Sequence, residues 1–190
     1  IEAGEMDDPD YLRNPVDRCY HCKKNLYGRI ASLGPGTIAS GTNVDDLGDY
    51  RPGLEAAKQQ SVVHPYVEAG LRKADVYALA AAHGLDDLAA LPASPCLASR
   101  IETGIAVQPE ILGFIEGAER HLKDLLPETG ALRCRLTAAG VVIESETLPD
   151  AERRAEIERW ARAYCQEAGH AFVGLRGYRR GSAFLHKVST

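Results

Sequence analysis

Three of the five cysteines stand in settings where a thiol can do chemistry. Cys19 and Cys22 lie in Arg18-Cys-Tyr-His-Cys-Lys23, and Cys96 lies in Ser94-Pro-Cys-Leu-Ala-Ser-Arg100. A Cys-x-x-Cys pair has the spacing of metal or iron-sulfur ligands. A thiol beside a cation favours the thiolate, which is the nucleophilic form, so Arg100 near Cys96 points to a reactive cysteine. Plainer readings stand next to these. Cys96 is also compatible with an inert loop thiol. Cys19 and Cys22 are also compatible with a packed helix face or a zinc half-site, for which His21 or His64 would be further donors without supporting spacing. Cys134 reads as a strand core residue, and Cys165 falls beside the buried stripe of a helix.

Two further groups carry polar chemistry. The loop Gly41-Thr-Asn-Val-Asp-Asp-Leu-Gly-Asp-Tyr-Arg-Pro-Gly53 follows a short apolar run, Thr37 to Gly41. A strand that empties into a polar, glycine-bearing loop is where open α/β sheets bind ligands. Gly41 and Thr42 would let the backbone approach a nucleotide, Asn43 would add hydrogen bonds, and Asp46 or Asp49 would help hold Mg²⁺ beside phosphates; as turn formers, the same residues would only connect two elements. In the run Ala131 to Thr137, alternation puts Leu132, Cys134 and Leu136 on one face and Arg133 and Arg135 on the other. With a turn at Thr137 to Gly140, Leu136 pairs with Val141 and Arg133 falls opposite Glu144. The two arginines read either as a solvated charged face or as an anion site, because guanidinium groups fork onto phosphate.

The elements that must position these residues follow from caps and periodicity. Asn14-Pro15 reads as an N-cap with proline in the first turn, and Gly34-Pro35-Gly36 ends that helix, giving about residues 15 to 33 with Cys19 and Cys22 on one face. Helices are expected at about 53 to 60 and 73 to 83, alternating with strand in the manner of a parallel α/β layer. Beyond a boundary near residues 100 to 108 come a helix at 109 to 126, the hairpin, a helix at about 150 to 168 with Ile157, Trp160, Ala161, Tyr164 and Ala168 on one stripe, and a strand at 171 to 175. The expected fold is thus α/β over 1 to 104, followed by a smaller α+β domain over 105 to 190.

Composition narrows the class. With 190 residues, 45% apolar and 26% charged, the chain can bury a substantial core. It has no apolar run near the roughly 20 residues that cross a bilayer and no signal-like opening, so the reading is a cytoplasmic protein without membrane attachment. An odd cysteine count without regular spacing argues against a secreted disulfide framework. A net charge of -5 argues against general nucleic-acid binding. The first residue is Ile1, not methionine, which suggests a fragment of a longer chain.

Four motifs together carry a resemblance: Asn14-Pro-x-x-Arg-Cys-Tyr-x-Cys-Lys23, the Gly41 to Gly53 loop, Pro95-Cys-Leu-Ala-Ser-Arg100, and Gly177-Tyr-Arg-x-Gly-Ser182. The succession resembles the LarE family of ATP-dependent sulfurtransferases in the adenine nucleotide α-hydrolase (PP-loop, Rossmann-like) superfamily, which act in nickel-pincer nucleotide biosynthesis. The resemblance implies ATP and Mg²⁺, a pyridinium mononucleotide substrate, and a homo-oligomer. It gives Cys96 the role of the thiol that takes the activated carboxylate and donates its own sulfur. In another branch, Cys19, Cys22 and Cys96 would hold a 4Fe-4S cluster with one open iron, and the Cys-x-x-Cys pair favours that branch. Arg133 and Arg135 match a substrate phosphate pair, with Arg100 and Arg179 in the same pocket and Glu144 as a weak metal ligand or partner of Arg133. The family's Ser-Gly-Gly-x-Asp-Ser phosphate loop is absent from this sequence; either it precedes the chain or the protein does not adenylate. Other readings are a tRNA-thiolating PP-loop enzyme, an ammonia-using adenylating ligase resembling NAD synthetase, and a structural metal-binding module.

Overall fold

The computed structural model describes residues 1–89 and 95–185, and the chain divides into two compact units. One comprises Ile1–Leu12 and Asp17–Ala93, the other Arg13–Val16 and Ser94–Thr190. The division thus falls ahead of the stretch expected from sequence. The cause is that Arg100 and Ile101 pack inside the second unit, where Ile101 bridges Leu136 and Arg100 pairs with Glu119.

The first unit is built of α1 (Pro9–Leu12), α2 (Arg18–Ala31), α3 (Gly53–Gln59), α4 (Pro65–Glu68), α5 (Lys73–Ala82) and α6 (Asp86–Ala89). Its small core joins Tyr27 of α2, Ala57 of α3 and Val62, with Ile30 and Ile38 against them. Gly53 permits the close approach of α3 to α2, since a Cβ there would stand 3.0 Å from Lys23 Cγ. The strand expected at Thr37 to Gly41 is reduced to a single parallel bridge between Ala39 and Val63, secured by Val63 N–H to Ile38 O at 2.9 Å and Ser40 N–H to Val63 O at 3.0 Å. Only Ile38 and Ala39 in that run are apolar, too few to bury a full strand. The alternating strand and helix pattern expected of this half is therefore mostly helix among the described residues.

Helix α2 begins at Arg18, not Pro15. Asn14 does not cap it. This residue adopts a left-handed backbone with φ 52°, is buried, and its side-chain amide donates to Glu102 O and Ile105 O, each at 2.9 Å. Its long-range use within the second unit replaces the local cap.

The second unit carries α7 (Pro109–Leu125), β1 (Leu132–Thr137), β2 (Gly140–Ser145), α8 (Ala151–Glu167) and β3 (Phe172–Gly177). The sheet order is β1-β2-β3, with β1 and β2 antiparallel and β2 and β3 parallel. The expected hairpin register is observed: Leu136 pairs with Val141 and Arg133 with Glu144. Gly140 suits the turn because its φ is 122° and a Cβ would run into the Ala171 carbonyl. Two faces result. Leu132, Ile143 and Leu175 pack with Leu122 of α7 and Ile157 and Ala161 of α8; Arg133, Arg135, Glu144 and Arg176 occupy the opposite face. The expected stripe of α8 holds at Ile157 and Ala161, while Cys165 is buried and Ala168 is exposed. Among the described residues no helix is long and apolar enough to cross a membrane.

Ile157 is completely buried in this core. Ile157→Ala is expected to cost about 2–5 kcal/mol, read as a lower urea midpoint at unchanged slope.

Candidate functional site

Cys96 is exposed and opens a short 3-10 turn, Leu97–Arg100, whose end is anchored in the interior. The anchor is Arg100, which is 5% exposed. Its Nε and Nη2 donate to the two carboxylate oxygens of Glu119, each at 2.9 Å, and Nη1 donates to the Cys96 carbonyl at 2.9 Å and to the Pro95 carbonyl at 2.5 Å. Glu119 also accepts the Cys134 backbone N–H at 2.9 Å, so one carboxylate joins α7, the cysteine turn and the outer edge of β1. Arg100 therefore fixes the backbone of the cysteine turn, and its donors are spent inside the protein.

A second ion cluster sits beneath the polar face. Glu144 has no solvent exposure and receives Arg135 Nε at 2.5 Å, Arg176 Nη2 at 2.9 Å and Ser182 Oγ at 2.9 Å. Burial pushes its carboxyl up, and the bonds from Arg135, Ser182 and Arg176 outweigh burial and hold it below the ordinary glutamate value. With two guanidinium groups and a hydroxyl on its oxygens, Glu144 has the environment of an ion-pair centre, not of a metal ligand. The expected Arg133 to Glu144 ion pair is replaced: register sets Arg133 opposite, but the salt bridges come from Arg135 and Arg176.

The remaining arginine donors extend this frame. Arg135 Nη1 donates to Ser99 O and Nη2 to Arg179 O, both at 3.2 Å. The cysteine turn, the strand arginines and the Gly177 to Ser182 segment are thereby tied together in one unit. Arg133 is half-buried, lies over the Tyr178 ring with its guanidinium carbon 5.7 Å from the centroid, and donates to the adjacent Leu132 carbonyl. Burial, and then the neighbouring Arg100 charge, lower its proton affinity from the ordinary arginine value. The Arg179 side chain is exposed. Cys134 and Cys165 differ from Cys96: both are buried, and burial pushes both thiols up, away from the nucleophilic form.

In the first unit Cys19 and Cys22 are half-buried on α2. Among the described residues no group of three or more His, Cys, Asp or Glu side chains stands where it could hold a metal ion. In the loop from Gly41 to Gly53, Asn43 and Asp46 form a reciprocal capping box. Asp46 also pairs with Arg51 at 2.6 Å, and Asp49 with the same arginine at 3.5 Å. Gly41 is exposed and Thr42 half-buried. The loop carboxylates thus brace the turn in this structure.

Glu119, Ser99 and Arg176 escaped the sequence reading. Glu119 had a legible signal: it follows Ala118 and lies four residues from Ile115 and three from Leu122, all buried positions of α7. A carboxylate at the margin of an apolar stripe requires a buried partner. Ser99 and Arg176 offer no comparable local sign.

No protein-family model matches the chain. An uncharacterized protein of Synechocystis, slr1717, is 31% identical over an alignment covering 100% of this chain and 72% of the relative. The chain belongs to the family of this cyanobacterial protein. The uncharacterized protein MJ0830 of Methanocaldococcus jannaschii is 30% identical, covering 71% of the chain and 53% of that protein. Pyridinium-3,5-bisthiocarboxylic acid mononucleotide synthase of Lactiplantibacillus plantarum is 31% identical over 63% of the chain and 45% of the synthase. That partial similarity supports the LarE-like family to which the four motifs point. The chain spans about half of the length of these last two relatives.

Glu119→Ala leaves Arg100 buried without its carboxylate, and should lower stability by about 3–5 kcal/mol; protease cleavage beside Cys96 should accelerate in the folded protein. For Glu144→Gln the loss should depend on pH. A carboxyl held below its ordinary value of 4.5 stabilises the fold fully above that pH and loses its contribution as pH falls through the lower, folded-state value. Urea titrations at pH 7 should separate wild type from Glu144→Gln, and the gap should narrow toward pH 3.

Proposed function

We propose that this protein is a sulfurtransferase of nickel-pincer nucleotide biosynthesis, in which Cys96 attacks an adenylated carboxylate of a pyridinium mononucleotide. The observation that carries the reading is the placement of an exposed thiol on a turn clamped by buried Arg100 and joined through Ser99 to the arginine-bearing sheet face. The similarity to the Lactiplantibacillus plantarum synthase supports the substrate class.

In the proposed sequence, ATP activates the carboxylate with release of pyrophosphate. The Cys96 thiolate then adds to the acyl carbon, forming the S–C bond as AMP departs with the C–O electron pair. Removal of the Cys96 Cα proton by a base and cleavage of the Cβ–S bond leave a thiocarboxylate on the product and dehydroalanine at position 96. Sulfur thereby comes from the protein, and each chain turns over once. Division of labour among the arginines follows from their partners. Arg100 and Arg135 are spent on buried carboxylates and carbonyls and hold the site in shape, whereas Arg133 and Arg179 are the candidates to receive the substrate phosphate. Nucleotide binding is assigned to Gly41, Thr42 and Asn43 of the loop, with Asp46 and Asp49 as its internal braces in this structure.

Cys96→Ser should abolish sulfur transfer in the full-length protein while preserving the fold, measured as thiocarboxylate formed per chain. Cys19→Ala and Cys22→Ala should leave a first turnover intact. Loss of transfer in those two variants, with iron released, would instead assign sulfur delivery to a three-cysteine 4Fe-4S cluster; retained transfer in Cys96→Ser would favour an ammonia-type ligase or another nucleophile.

A further inference from the structure

Ser40 and His64 stand at the carboxyl ends of the two short parallel segments of the first unit. Ser40 Oγ lies 2.7 Å from His64 Nδ1 and 2.9 Å from Thr42 Oγ1, and all three side chains are half-buried. Neither Ser40 nor His64 belongs to the loop residues assigned above to the nucleotide. Where Ser40 gives its one hydroxyl proton to Nδ1, the imidazole proton stands on Nε2 and the Thr42 hydroxyl donates to Ser40 Oγ. Gly41, between the two hydroxyl residues, is exposed and has open space where a Cβ would stand, so its backbone can be approached closely. The acidic residues of the loop do not present unopposed charge: Asp46 pairs with Arg51, and Asp45 with Arg72 at 3.6 Å while accepting the Lys73 backbone N–H.

We propose that Ser40, Thr42 and His64 form a phosphate site, in which His64 Nε2–H donates to one phosphate oxygen, the Thr42 hydroxyl turns from Ser40 Oγ to donate to another, and Ser40 keeps orienting the ring while still accepting the Thr42 backbone N–H at 3.4 Å. The proposal deepens the nucleotide reading of the loop and rests on it. It adds His64 as a ligand-contacting group and Ser40 as a positioning residue. The recognised chemistry is a phosphate oxygen, whether carried on a nucleotide or free in pyrophosphate.

Equilibrium dialysis of the full-length protein against ATP, and separately against inorganic pyrophosphate, tests this. His64→Ala should weaken ATP binding about tenfold or more, Thr42→Val should weaken it as well, and His64→Gln, which keeps a donor, should lose less. A parallel loss with pyrophosphate assigns the contact to the phosphate chain itself, and a loss with ATP alone assigns it to a phosphate tethered to the nucleoside; both support the site. If ATP binds wild type, His64→Ala and Thr42→Val equally, the proposed site is wrong while the nucleotide reading stands. If wild type binds no ATP, both fail. Thr42→Val gives a second readout should His64→Ala impair folding.

Discussion

A carboxylate sealed from solvent must be met by cations and donors, and Glu144 imposes that requirement on the second unit. An unpaired charge in its position would cost several kcal/mol, so the chain brings Arg135 from the neighbouring strand, Arg176 from β3 and Ser182 from the following segment onto it. Arg135 then has donors left over, and these reach Ser99 and Arg179. The geometry of the cysteine turn and of the final segment is in this sense a consequence of one buried charge. The opposite face of the same sheet needs no such device, since Leu132, Ile143 and Leu175 are covered by α7 and α8.

Arg100 and Glu119 repeat the principle at the other side of the sheet edge. Their two parallel hydrogen bonds are the bidentate arrangement that fixes orientation as well as distance. Because Arg100 also holds the Cys96 and Pro95 carbonyls, rigidity in the interior passes to an exposed thiol. A nucleophile gains from being held still, and this arrangement holds the backbone of Cys96 without covering its sulfur. The buried thiols Cys134 and Cys165 show the contrast: burial that keeps them protonated suits packing and not attack.

What could be read from sequence was whatever local spacing determines. Alternating Leu132, Cys134 and Leu136, closed by a turn ending at Gly140, specified the hairpin and its register. Pro109 marked the start of α7. Long-range demands overrode the local signals elsewhere. Asn14 has the chemistry of a cap but is taken by Glu102 and Ile105. The charge partner of Glu144 could not be chosen from register alone, because Arg135, Arg176 and Ser182 reach it from 9, 32 and 38 residues away in sequence. Cys96 and Arg100 were legible as neighbours, yet the arginine's task as a backbone clamp depended on Glu119, 19 residues further along.

The central claim is that Cys96 becomes covalently bonded to the activated substrate. Rapid acid quench of the full-length protein mixed with ATP and the carboxylated pyridinium mononucleotide, followed by mass spectrometry of its cysteine peptides, addresses this directly. The account predicts a transient thioester on the Cys96 peptide, labile to hydroxylamine, that gives way to dehydroalanine at the same position. Product formed while Cys96 remains an unmodified cysteine throughout, or an adduct confined to another cysteine, would contradict it.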